Sequence, residues 1–494
     1  MIQLRFGSLL YAIIIIFLLV GCAENDNTAP TESTFDEDTE LFVSVHTTSV
    51  DPYTRQPNRL LERQADLVMK QQDDSPYAAA TITINPAITY QSIDGFGAAL
   101  TESSAYLIHQ LPESTRNQVI QDLFSPNGIR MNFIRLPMGA SDFALDSYTY
   151  NDLPAGQTDP ELKQFTIQRD ERYVIPILKE AFQLNPDIKL MGSPWTAPAW
   201  MKTKKNQTLH GGELDSQYLE VYARYFVKFI KAYAEHGLPI YAVTLQNEPL
   251  HESSSYPTMK MSNIQQRNLV KKLGPLFEKE NITTKIIVYD HNWKYWNYPD
   301  AIFSDLEASQ YVAGTAFHCY EGEVGDQLKL YSKFPDKGIW FTECSGGQWS
   351  TDFASNLIWN MEHLFIGSVN NRSKSVLLWN IALDENFGPT NGGCQNCRGV
   401  LEIRSDGSIK KNEEYYAIGH LSKFVEPNAL NIHTDVRGNA SIIATAFRNP
   451  DESIVVVSCN KSKNAIRIRI RYANLHTDYM MPALSVATFV IRQI

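Results

Sequence analysis

Residues 215–249 read DSQYLEVYARYFVKFIKAYAEHGLPIYAVTLQNEP, and two different periods follow one another within them. Leu219, Tyr222, Phe226, Phe229 and Tyr233 recur three or four residues apart, the spacing of one face of a helix. Asp215 or Ser216 can cap its start and Gly237 its end. Ile240 to Gln246 is then a short apolar strand pattern. It stops at Asn247-Glu248-Pro249, where a proline without an N–H ends the ladder. A helix, a tight turn and a buried strand that ends on a carboxylate make one step of an α/β fold.

The same step recurs on both sides. Strand patterns run at Ile93–Phe96, Met131–Leu136, Ile188–Ser193, Ile240–Gln246, Lys285–Asp290, Val312–His318, Gly338–Thr342 and Ser375–Asn380. Helical patterns lie between them, and Phe353–Asn370 and Asn412–Val425 follow the last two strands in the same way. Eight β-then-α units predict an α/β fold of the (β/α)8 TIM-barrel type. The rival, an open doubly wound sheet, would carry a glycine-rich phosphate loop after its first strand. Asp94-Gly95-Phe96-Gly97 lacks that spacing.

The chain ends read differently. Leu41–Val45 and Ala80–Ile84 at one end, and Ser441–Phe447, Ser453–Ser458, Ala465–Tyr472 and Ser485–Arg492 at the other, are strand-like. Ile466, Ile468 and Ile470 alternate with Arg467, Arg469 and Arg471, the mark of a strand with one wet face. Both ends are expected to meet in one all-β side domain, a β-sandwich. The expected organisation is a lipoprotein-type signal peptide at 1–21, a flexible tether at 22–40, N-terminal side-domain strands at 41–90, the barrel at 91–426 and the C-terminal sandwich at 427–494.

Barrel active sites form at the C-terminal ends of the strands. Those ends are expected to carry Asp94, Arg135, Trp195, Asn247-Glu248, Asp290, His318-Cys319-Tyr320, Glu343 and Trp379-Asn380. Glu248 follows the fourth strand and Glu343 the seventh, so the two carboxyls can face each other across the mouth. Cleaving a glycosidic bond needs a proton for the leaving oxygen and support for an oxocarbenium-like centre, and two carboxyl groups can supply both. A separation of about 5–5.5 Å would imply a covalent intermediate and retained configuration. Repulsion at that distance would leave one glutamate protonated at neutral pH. Either glutamate could instead serve as structural glue, paired with Arg135 or a lysine.

Several longer strings carry a family resemblance. Residues 93–102 (IDGFGAALTE), 132–138 (NFIRLPM), 193–198 (SPWTAP), 223–229 (ARYFVKF), 246–249 (QNEP) and 419–424 (GHLSKF) occur in order. Together they resemble the glycoside hydrolase family that contains lysosomal glucosylceramidase and microbial endo-β-1,6-glucanases, from about Thr81 to the C-terminus. The resemblance implies a barrel with a β-side domain and retaining hydrolysis. By motif position it implies Glu248 as general acid/base and Glu343 as nucleophile. It places Asn247 on the sugar 2-hydroxyl and Tyr320 beside the nucleophile. Asp142, Trp195 and Trp379 would line the glucose pocket, with Arg135 positioning from behind. Between Gly388 and Gly399 the chain departs from the glucosylceramidase pattern. Its Cys-bearing loop, ending Cys397-Arg398-Gly399, looks more like the β-1,6-glucanase branch. The expected substrate is therefore β-1,6-glucan, with glucosylceramidase or exo-β-glucosidase activity as the alternative. A surface glycan-binding lipoprotein without catalysis is a third reading, disfavoured because both glutamates are present.

Composition bounds the partners. The 494 residues carry a formal net charge of −11, which argues against nucleic acid, whose binding rests on cations that neutralise phosphates. It argues equally against a polyanionic substrate. No metal or cofactor motif is present, and glycoside hydrolysis needs neither. Leu9–Val20 is an apolar run too short to span a bilayer comfortably. It ends Leu19-Val20-Gly21-Cys22, which resembles a bacterial lipobox with Cys22 as the lipidated residue. Ala23–Glu40 is polar and suits a tether. These features predict an extracytoplasmic lipoprotein, held at the outer membrane or cell surface of a bacterium. Of the 6 cysteines, Cys394 and Cys397 form a CxxC in a glycine-rich loop. Zinc would need a second ligand pair, so a local disulfide in an oxidising compartment is expected.

Overall fold

The computed structural model describes residues 40–71, 78–203 and 208–493. The expected signal peptide, Cys22 and the tether before Glu40 lie outside the described residues. Among those described, no helix is long and apolar enough to cross a membrane.

Eight parallel strands close into a barrel in chain order. They are β1 (Gly95–Ala99), β2 (Phe133–Pro137), β3 (Lys189–Ser193), β4 (Ile240–Thr244), β5 (Lys285–Asn292), β6 (Val312–His318), β7 (Gly338–Glu343) and β8 (Ser373–Leu378). The TIM-barrel expectation holds. So does the helix before β4: a 3-10 turn at Ser216–Tyr218 leads into Leu219–Glu235. The Asp215 side chain accepts from the Gln217 N–H at its start, and Gly237, at φ 77°, ends it. The expected helix at 353–370 is broken in its middle by a π-helical stretch, Asn360–Phe365.

The first strand differs from the expectation. It begins two residues later, so Asp94 lies below the barrel rather than at its mouth. There it accepts from Lys189 Nζ at 2.9 Å, Tyr241 Oη at 2.8 Å and Trp340 Nε1 at 2.8 Å. Residues 95–99 are GFGAA, with little intrinsic strand preference. Close approach selects them: a Cβ on Gly97 would lie 2.0 Å from the Phe133 carbonyl oxygen.

Strand residues two apart share a face, and this periodicity layers the barrel interior. Phe133, Met191, Ala242, Ile287, Ala316, Trp340 and Leu377 form a buried apolar plug. Two residues further along β2, β3, β4, β6 and β7 come Arg135, Ser193, Thr244, His318 and Thr342, all fully buried and all polar. In β5 the ladder shifts register between Tyr289 and His291. Tyr289 and Asp290 there have φ of 73° and 71°, and this bulge brings the Asp290 carboxylate into the polar layer. The floor of the site is thus a charged sheet of side chains resting on a dry plug.

The side domain is an eleven-stranded sheet: ten strands lie on one hydrogen-bonded path, and the short strand Leu67–Val68 pairs off it against Leu41–Val50. Leu41–Val50 pairs with Ser485–Gln493, and Ala80–Ser92 pairs with Leu430–Gly438 and Ile466–Tyr472, so both chain ends build it. The strand expected to have one wet face is only partly so. Ile466, Ile468 and Ile470 pack in the apolar core with Val43, Val45 and Phe489, but on the other face only Arg467 is exposed, while Arg469 is buried and donates to Asp478 at 2.8 Å.

Candidate active site

Arg135 is the centre of the polar layer. Its side chain is fully buried and donates to Glu343 Oε2 at 2.5 Å, Asn247 Oδ1 at 2.7 Å, Asp290 Oδ2 at 2.8 Å and Ser193 Oγ at 3.2 Å. A buried guanidinium needs such partners, and the two carboxylates need it in turn. Glu343, the last residue of β7, also accepts from the Tyr320 hydroxyl at 2.9 Å. Both its oxygens are therefore held, and its orientation is fixed.

Glu248 lies four residues beyond β4, with φ of 45°. Its N–H donates to the Asp290 carbonyl at 2.9 Å. One of its carboxylate oxygens lies within 4.8 Å of one from Glu343. His318 stands beside the pair. Its Nδ1 is 3.2 Å from Glu248 Oε1 and its Nε2 is 3.0 Å from Asp290 Oδ1. Burial works to lower the His318 pKa, but the charge of Glu343 and the hydrogen bonds to Asp290 and Glu248 carry it up to about 9. Burial works to raise the Glu248 pKa, but the hydrogen bond from His318 and the nearby His291 and His251 take it well down. With both its nitrogens on carboxylates, the imidazole is favoured in its protonated form beside an ionised Glu248. Burial likewise opposes ionisation of Asp290, yet the Arg135 charge and the His318 hydrogen bond keep its carboxylate ionised.

The carboxyl raised here is not Glu248. It is Asp142, pushed up to about 8 by burial first and then by the charges of Glu343 and Glu248. Asp142 sits under the loop from Gly388 to Gly399. The Asn391 N–H donates to the Asp142 carbonyl at 2.7 Å, and the Cys394 N–H donates to its carboxyl. A Cβ on Gly393 would lie 2.2 Å from Asp142 Cβ, so the loop rests directly on it. Cys394 and Cys397 are joined in a disulfide, as the CxxC spacing suggests. Beside them Trp195 and Trp379 stack at 5.2 Å and 18°, with the Arg135 guanidinium 4.9 Å from the Trp195 ring. Phe143 and Tyr256 pack in the same apolar cluster.

The structure brings Arg135, Asn247, Glu248, Tyr320 and Glu343 together as direct partners or close neighbours, with Asp142, Trp195 and Trp379 forming an adjoining wall. Asp290 and His318 were legible as strand ends, but not their link to Glu248. Tyr256 and His251, bonded to each other at 2.9 Å, gave no sequence signal, because they lie in the irregular loop after Glu248. A second disulfide, Cys319–Cys344, was also missed. Glu248, His318 and Glu343 lie close enough to ligate a metal ion. Both His318 nitrogens are committed to carboxylates, however, and a protonated imidazole has no lone pair to give. Facing carboxylates beside an aromatic wall, with a stored proton, suit acid/base and nucleophilic chemistry on a sugar ring.

Comparison with known proteins agrees with this geometry. The glycosyl hydrolase family 30 TIM-barrel domain matches residues 93–425, and the family 30 beta sandwich domain matches residues 428–489. The chain belongs to glycosyl hydrolase family 30 and is a glycosidase. It is 31% identical to the endo-1,6-beta-D-glucanase neg1 of Aspergillus fumigatus over 430 residues, which is 81% of this chain and 85% of that protein. It is 29% identical to the lysosomal acid glucosylceramidase of Mus musculus, covering 83% of each. Among solved structures it superposes on the endo-beta1,6-glucanase BT3312 with a TM-score of 0.83 and 35% identity, covering 91% of this chain and 99% of that one. The resemblance read from the motifs is borne out.

Proposed function

We propose that this protein is a retaining endo-β-1,6-glucanase, with Glu343 as nucleophile and Glu248 as general acid/base. The observation that carries the mechanism is the approach of their carboxylate oxygens to within 4.8 Å. Retaining enzymes hold their carboxyls about 5–5.5 Å apart, and inverting ones about 6.5–9.5 Å to admit a water. The substrate reading rests on the likeness to two endo-β-1,6-glucanases and on the Cys-bearing rim that covers Asp142.

In the first step a Glu343 oxygen bonds to the anomeric carbon as the bond to the leaving O6 breaks. The proton passes from His318 through Glu248 to that O6. The ester cancels the Glu343 charge, the foremost influence that raises the His318 pKa, so the imidazole gives up its proton more readily. In the second step Glu248 takes a proton from water, whose oxygen bonds to the anomeric carbon while Glu343 departs. The returning Glu343 charge draws the proton back to His318. Asn247, its Oδ1 held by Arg135, has its amide N–H groups available for the sugar 2-hydroxyl. Trp195 and Trp379 supply an apolar wall for the ring.

Product analysis on linear β-1,6-, β-1,3- and β-1,4-glucans and on glucosylceramide tests the substrate. Release of short β-1,6-linked oligosaccharides is expected. A higher kcat/KM on glucosylceramide would favour the alternative suggested by likeness to the mouse enzyme and leave the two-glutamate chemistry standing. We propose further that the chain is anchored outside the cytoplasm through Cys22, on the strength of its lipobox-like end. Cys22→Ser should then release it from membranes, and unchanged membrane association would refute the anchor.

A further inference from the structure

Cys319 precedes Tyr320, and Cys344 follows Glu343. The disulfide between Cys319 and Cys344 therefore joins the neighbour of the phenol to the neighbour of the carboxylate that the phenol holds. We propose that this disulfide is a positioning element of the active site: it holds the Tyr320 hydroxyl on Glu343, and full turnover depends on its being oxidised. The proposal rests on the reading of Glu343 as nucleophile.

Three observations point the same way. The β6–β7 ladder shifts register just before its last pair, His318 with Glu343. Regular strand pairing thus fails where the site begins, and the disulfide lies one residue past that pair. Tyr320 is 44% exposed, so packing alone does not hold it. Besides the bond to Glu343 it has its N–H on Asn292 Oδ1 at 3.1 Å and an edge contact with the His318 ring at 6.2 Å. Cys344 also works through its backbone: its carbonyl accepts from the Trp379 N–H at 2.8 Å. One residue thus ties together the strand of the nucleophile, the loop of its tyrosine and the tryptophan of the wall. Cross-linking strand ends reduces the conformers open to both flanking side chains, and a catalytic pair loses rate steeply when its geometry loosens. Cys459, the remaining cysteine of the described residues, is free but fully buried in the side domain, away from this pair.

The test compares wild type, Cys319→Ala/Cys344→Ala, Tyr320→Phe and the triple variant. Turnover is measured on an aryl β-glucoside, and the rate and site of labelling are measured with a 2-deoxy-2-fluoro-glucoside that traps the nucleophile. For the double variant we expect kcat and labelling rate to fall about ten-fold or more, with KM within about three-fold. The triple variant should lose little beyond the larger single effect, because both changes act through one contact. A folded double variant with wild-type kcat and labelling rate would overturn the proposal, and so would losses that simply multiply. If the double variant does not fold, wild-type enzyme is reduced under native conditions and the reactive cysteines are mapped by alkylation. Loss of activity in step with reduction of Cys319–Cys344, recovered on reoxidation, supports the proposal, and full activity with that pair reduced overturns it. Labelling of wild type at a residue other than Glu343 would instead refute the nucleophile assignment, and the proposal would fall with it.

Discussion

The imidazole of His318 bridges Glu248 and Asp290, 3.2 Å from one carboxylate and 3.0 Å from the other. In the proposed mechanism this places the acid proton one hydrogen bond away from Glu248, the group proposed to deliver it. His318→Gln keeps a hydrogen-bonding group but removes the store. Turnover of β-1,6-glucan should fall about 10²-fold, within the usual range for lost proton transfer. Dinitrophenyl β-glucoside, whose leaving group needs no proton, should lose far less. Equal losses on both substrates would place His318 in a purely structural role.

Asp142 should set the start of the alkaline limb. It stays protonated below about 8, and its ionisation above that adds a third negative charge beside Glu343 and Glu248. His318 releases its proton at about 9. In wild type, kcat/KM should hold through neutral pH, begin to fall near pH 8, and fall more steeply past 9. Asp142→Asn resembles the protonated carboxyl and cannot ionise. Its limb should move up toward 9, with a raised KM because the amide is an imperfect partner for sugar hydroxyls. A pH–rate profile of this variant that still breaks near 8 would exclude Asp142 as the group responsible.

Glu343→Gln should abolish measurable turnover on every substrate. Glu248→Gln should do so only where the leaving group needs a proton, and it should accumulate the glycosyl-enzyme on activated glucosides, since deglycosylation lacks its base. Intact-mass measurement during turnover reads that accumulation directly. Glucan hydrolysis at the wild-type rate by either variant would remove it from the mechanism.

The disulfide-bearing loop should matter for the polymer. Cys394–Cys397 cross-links a rim segment resting on Asp142, which would lower the ordering cost for docking of the proposed flexible glucan. Cys394→Ser/Cys397→Ser should reduce kcat/KM on β-1,6-glucan more than on an aryl glucoside. Parallel losses on both, measured side by side, would confine the loop's role to the pocket itself.

Much of this was readable from the chain because barrels repeat one local pattern. Helix 219–235 and strand β4 announce themselves by period, Glu343 ends its strand, and Glu248 lies four residues past the end of another. Strand β1 was misplaced, because GFGAA is selected by close backbone approach to Phe133 and not by any side-chain pattern. That slip put Asp94 at the wrong end of the barrel. The location of the stored proton was illegible for a different reason. It depends on a β-bulge at Tyr289-Asp290 that turns a carboxylate inward to His318, and no one-dimensional spacing marks such a bulge. The Cys319–Cys344 pair, by contrast, was within reach: β6 and β7 are neighbours in chain order and the two cysteines lie just past the ends of their pairing, yet no motif spacing links them as it does Cys394 and Cys397.

The most direct measurement of the central claim is proton NMR of linear β-1,6-glucan during the first minutes of hydrolysis. Double displacement through Glu343 predicts new reducing ends that appear first as the β anomer on short oligosaccharides, with the α form growing in later by mutarotation. New ends that appear first as the α anomer would mean single-step inversion and would contradict the account.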